Sequence, residues 1–109
     1  MQEIIADAAA LGKKIAEHPR SKAFFDAARA VAADADAQKM LRSYQEAADR
    51  LQQLEASGKP IEADDKRKLA TLQSDMIGNE KLKSMMKAQA DYLELMTRVQ
   101  QAIDAATQG

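Results

Sequence analysis

EKLKSMMKAQADYLELMTRVQQAIDAA, residues 80–106, decides the fold. Leu82, Gln89, Met96 and Ile103 stand seven apart, and Met85, Tyr92, Val99 and Ala106 make a second seven-residue series. Two interleaved heptad series place their members along one side of a helix. No Gly or Pro interrupts them, so the spacing predicts one continuous helix roughly 40 Å long at about 1.5 Å per residue. Immediately upstream, Gly78-Asn79 reads as a stop followed by a start: Gly to end one helix, Asn to cap the next.

Working further back, Leu69, Leu72, Met76 and Ile77 give a fourth helix its inner face, opened acidically by Asp64 and Asp65. Before it, Met40, Tyr44, Ala47, Leu51 and Leu54 alternate at steps of four and three, which predicts a third helix running to about residue 57. Asp34 suits its N-cap, Asp36 its first turn, Gly58 the left-handed position after its end, and Pro60 prevents continuation. A short second helix carries Phe24, Phe25, Ala28 and Val31, with His18 or Ser21 as its cap. The first carries Ile4, Ala8, Leu11 and Ile15 on one stripe and ends before Pro19. No strand-like alternation occurs. The expectation is an all-α, coiled-coil-like bundle in a single domain, residues 1–109, with two long helices antiparallel and three shorter ones.

Composition agrees. The 109 residues include 23 Ala, and Leu, Ile, Val and Phe supply only 19. Such a chain could be disordered if strongly charged, but 16 basic residues face 17 acidic ones. At about 25 cal/mol per Å² the large side chains make a thin core. Apolar surface is therefore expected to meet another subunit, giving a two-fold homodimer. With no cysteine, no disulfide, thiol nucleophile or thiolate-held metal can form within the chain. Nothing reads as a signal peptide or a membrane span, and a cytoplasmic setting is expected.

Few residues carry chemistry. His18 is the lone imidazole, and a helix end before proline explains it without catalysis. The carboxylates Asp34 and Asp36, and Glu62, Asp64 and Asp65, lack a calcium-loop layout and read as caps and dipole partners. Lys66, Arg67, Lys68, Lys81, Lys83 and Lys87 could gather into a basic elbow for phosphates, although the region has no aromatic residue for base stacking. Met76, Met85, Met86 and Met96 suit either gap-filling or a partner face. Gln89 either fixes register as a polar core residue or marks a drifting stripe in which Met86 and Leu93 turn inward. No catalytic residue, metal or cofactor is expected.

The ordered set Ala8-x2-Leu11-x3-Ile15, His18-Pro19, Phe24-x3-Ala28, Asp34-x-Asp36-Ala37-Gln38-x2-Leu41-x2-Tyr44 and Gly58 resembles the YlbF/YmcA family. So do Leu69-x2-Leu72, Asn79-x2-Leu82 and the long last helix with Leu93 and Ile103. The resemblance spans nearly the whole chain and rests on helix-packing positions. It implies a small, non-enzymatic bacterial regulator that self-associates and joins other proteins in a complex linked to competence, biofilm formation, sporulation and messenger RNA processing by ribonuclease Y. Family members contribute cysteines to iron–sulfur clusters; this chain has none, so that property does not carry over.

The expected function is thus a helical adaptor acting by protein–protein contact, through Tyr44, Met85, Gln89, Tyr92, Met96 and Val99. Its partners would be itself and other regulatory proteins, with no membrane and no nucleic acid as direct ligand. The alternatives are an RNA-binding protein using the 66–87 elbow and a holdase-like chaperone.

Overall fold

The computed structural model describes residues 1–109. Five helices follow one another: α1 (Gln2–Glu17), α2 (Pro19–Ala32), α3 (Ala35–Ala56), α4 (Ala63–Gly78) and α5 (Glu80–Gln108). There is no strand. They distribute over two compact units. A terminal unit comprises Met1–Arg29 with Met85–Gly109, and a central unit comprises Ala30–Ser84.

The helix boundaries follow from local chemistry. His18 is extended, as the residue before a proline must be. Its Nδ1 accepts the backbone N–H of Arg20 at 3.0 Å, which makes it, and not Ser21, the cap of α2. Pro19 supplies the first helical residue, where its missing donor costs nothing. Asp34 is extended and accepts the Ala37 N–H at 2.9 Å, satisfying one orphan donor of α3. At the other end of α3, Gly58 has φ 71°. The Lys59 N–H returns to Leu54 O at 3.0 Å and the Gly58 N–H to Glu55 O at 3.1 Å, a Schellman closure that only glycine enters without strain. Gly78 is the last residue of α4 and has no positive φ. The turn there belongs to Asn79, extended in backbone, whose Oδ1 accepts the Leu82 N–H at 3.0 Å and so starts α5.

The central unit is built on the packing of α3 against α4. Its buried hydrophobic residues are Val31, Ala37, Met76 and Leu82. These lie at the end of α2, the start of α3, the end of α4 and the start of α5, so the core sits where four helix ends meet. Polar bonds join the same ends. The Lys81 Nζ donates to Asp34 Oδ2 at 2.8 Å, and the Gln38 Nε2 donates to Val31 O at 3.2 Å. Met40, Tyr44, Ala47, Leu51 and Leu54, the expected inner stripe of α3, are each half-buried.

In the terminal unit Ser21 alone is buried, and its hydroxyl has no hydrogen-bond partner. An aromatic group holds α2 to α5. The Phe24 and Tyr92 rings stack at 5.2 Å between centroids, and Phe25 lies 5.7 Å from each of them, within the range of favourable aromatic pairs. Nearby, the Arg20 Nη1 donates to Asp91 O at 3.2 Å and stands 3.7 Å from the Glu94 carboxylate. Residues 1–14 are all exposed, as are residues 100–109.

Candidate functional site

Large apolar side chains divide unequally between the units. All four buried hydrophobic residues belong to the central unit. Of the eight exposed large ones, Ile77 alone lies there; Met1, Ile4, Ile5, Leu11, Phe25, Leu93 and Ile103 belong to the terminal unit. Single exposed apolar residues are ordinary, but seven on one unit that buries no hydrophobic side chain mark apolar surface open to cover.

The expected interface residues fall on both units. On α5, Met85, Tyr92, Met96 and Val99 are half-buried and Gln89 is exposed; Tyr44 sits on α3 in the central unit, half-buried. Tyr92 is engaged by Phe24 and Phe25, so part of its apolar surface is already used within the chain. Gln89 takes no inner position, and of the two residues that could replace it, Met86 is half-buried while Leu93 stays 53% exposed. The inner line instead runs Met85, Ala88, Tyr92, Leu95, Val99. An unsupercoiled helix drifts about 20° per heptad, and that drift replaces Gln89 by its small neighbour. The outer flank, Leu93 and Ile103 (43% exposed), is open to a partner. The exposed α1 stripe was not among the expected contacts, although its amphipathic spacing was legible.

All six basic residues of the 66–87 segment are exposed. Arg67 stands 3.5 Å from Asp64, and Lys81 is bound to Asp34. Lys66, Lys68 and Lys83, on the central unit, and Lys87, on the terminal one, make no ion pair. The acidic residues are likewise accounted for by architecture. Asp65 meets Arg50 at 3.5 Å, and Asp64 and Asp65 occupy the first turn of α4, where a carboxylate favours the helix dipole. The ammonium of Lys81, foremost, and the Ala37 N–H hold the Asp34 carboxyl below its ordinary value of 3.8. A surface groove of about 320 Å³ beside α3 is lined by Asp49, Gln52, Gln53 and Ala56, one carboxylate with no second titratable group. No helix is long and apolar enough to cross a membrane.

A family model described as "Control of competence regulator ComK, YlbF/YmcA" matches residues 4–107. No curated protein matches the chain. Among solved structures it is similar to Bacillus subtilis RicA, crystallised in complex with RicF, at 17% sequence identity and a TM-score of 0.79, over 97% of this chain and 94% of that one. At that identity the likeness establishes the fold.

Proposed function

Because the chain belongs to the YlbF/YmcA family, we propose that it is a non-enzymatic regulator that docks on other proteins through the apolar face of its terminal unit. The observation that carries this reading is the division of large apolar side chains: buried ones in the central unit, exposed ones in the terminal unit. Leu93 and Ile103 form the open flank of α5, with Gln89 exposed beside them and Met85, Tyr92, Met96 and Val99 at its half-buried margin. Tyr44, on α3 of the central unit, supplies a separate contact. The RicA–RicF complex supports another protein as partner. The pathway we assign is competence and biofilm control through messenger RNA processing, in the cytoplasm. The chain also associates with itself as a homodimer. Lacking cysteine, it offers no thiolate to an iron–sulfur cluster.

The test is paired affinity capture from the cells of origin, with the wild-type chain and with Leu93→Asp plus Ile103→Asp as baits. Both positions are exposed, so the variant keeps its helix content. A defined set of proteins recovered by the wild type and lost from the variant supports docking through this flank; an identical set refutes it. Gel-shift titration with RNA at two salt concentrations is the counter-test. Tight, steeply salt-dependent binding that is abolished by Lys66→Glu plus Lys68→Glu would replace the adaptor by an RNA-binding protein.

A further inference from the structure

Helix α1 contains no buried residue. Ile4 is 71% exposed, Ile5 60% and Leu11 37%, while Ile15 is half-buried. A helix of sixteen residues is marginal in water without a packed face. This one also has Gly12 in its interior, among the poorest helix formers, where nothing lies within 4 Å of the place a Cβ would occupy. The glycine is therefore not required by any neighbour in the same chain.

We propose that the occupant of this face is the α1 of a second copy, packed antiparallel about a two-fold axis at the level of residues 9–10. Ile4, Ala8, Leu11 and Ile15 follow steps of four, three and four, the alternation of the two core positions of a coiled coil. Reversing a second α1 against the first sets Ile4 on the partner's Ile15 and Ala8 on the partner's Leu11, large against large and small against large. On one side of that stripe lie Ile5 and Gly12. The antiparallel register brings them together, so the partner's Ile5 covers the glycine, and the missing side chain becomes room for it. On the other side lie Asp7 and Lys14, which the same register brings together as opposite charges. The two-fold makes each of these matches twice. A parallel pairing would match Ile5 to no glycine and Asp7 to no lysine. It would also align the two helix dipoles side by side. A foreign partner would have no need for a helix that complements itself under reversal; a second copy does. The inference rests on the self-association stated above and says where it occurs.

The test is sedimentation equilibrium on the full chain, with helix content followed by circular dichroism. Asp7→Lys places like charges together at two symmetric sites and should weaken the dimer about tenfold. Combining it with Lys14→Asp re-creates both opposite-charge pairs, exchanged, and should return the dissociation constant to within about threefold of wild type. Gly12→Ile, open space in a single chain, should leave the helix intact and weaken the dimer by at least about tenfold. Failure of the double exchange to rescue overturns the proposal. So does a wild-type chain that stays monomeric up to about 100 µM. A dimer untouched by all three variants but dissociated by Leu93→Asp plus Ile103→Asp overturns the α1 assignment and leaves the adaptor reading standing. Capture of other proteins unchanged in Asp7→Lys separates the two surfaces.

Discussion

Truncating leucine to alanine at two positions of α5 should give opposite consequences. Leu82 is fully buried at the meeting of the helix ends, and Leu93 is 53% exposed. At Leu82 the change removes buried carbon and leaves a cavity, a loss of about 2–5 kcal/mol. Against a total stability of roughly 5–15 kcal/mol for a domain of this size, that is a large fraction. At about 4–8 °C per kcal/mol, the melting midpoint should fall by at least about 8 °C. At Leu93 about half of the roughly 1.5–3 kcal/mol attached to burying a leucine is still unrealised in the free chain. The realised half, about 1 kcal/mol, is what Leu93→Ala removes from the free chain, so it should lower the midpoint by about 4–8 °C. The unrealised half, about 1 kcal/mol, is available to a bound partner and corresponds to roughly fivefold in affinity. Thermal unfolding by circular dichroism, at a concentration low enough that self-association contributes nothing to the midpoint, reads the first quantity. Binding of a purified captured partner to each variant reads the second. Equal midpoint shifts, or a larger one for Leu93→Ala, would refute the assignment of the core to the central unit and of the partner face to α5.

Asn79 caps α5, so Asn79→Ala should cost about 1 kcal/mol, whereas Asn79→Asp keeps an acceptor at the same place and should melt close to wild type; an unaffected alanine variant would show that the cap contributes nothing. The Asp34 carboxyl is held below 3.8, mainly by Lys81, so its contribution is fully present above the unfolded-state pKa and is lost as pH falls through the lower folded-state value. Melting midpoints followed from about pH 6 to about pH 2 should therefore drop less steeply at the acid end for Asp34→Asn, which retains a capping oxygen; parallel acid limbs would count against the Lys81 contact.

The helices themselves were legible because their signals are local. Asp34, Gly58 and Asn79 each act within four residues of their own position in the chain, and the sequence contains those residues in order. The last helix, expected over residues 80–106, runs to Gln108. What periodicity does not contain is the identity of the neighbour. The stripe of Ile4, Ala8 and Leu11 reads as an inner face, yet all three residues are exposed. Amphipathic spacing states that a face favours cover and is silent on whether the same chain supplies it. Gln89 illustrates a second gap. Seven-residue spacing from Leu82 puts it on the stripe, but a straight helix does not hold a strict heptad, and Ala88 takes the inner place. The core was hidden for a related reason. Val31, Ala37, Met76 and Leu82 belong to four different helices and share no period. Their convergence comes from where the caps end each helix.

That arrangement bears on function. A chain with only 19 large aliphatic or Phe side chains has too little apolar material to wrap every helix along its length. Holding helices at their ends uses the least of it. Four buried residues and the paired caps Asp34 and Asn79 suffice to fix the junction. The polar residues that could otherwise have suggested chemistry also serve helix ends: His18 starts α2, Ser57 donates to the Gln53 and Leu54 carbonyls at the end of α3, and Asp34 joins a cap to an ion pair. Helices fixed at their ends leave their flanks free, and on α5 the free flank carries Leu93 and Ile103. Concentrating the core at the junction is thus what releases apolar surface for docking. Enlarging the core by covering those flanks from within would stabilise the single chain and remove the surface by which it meets another.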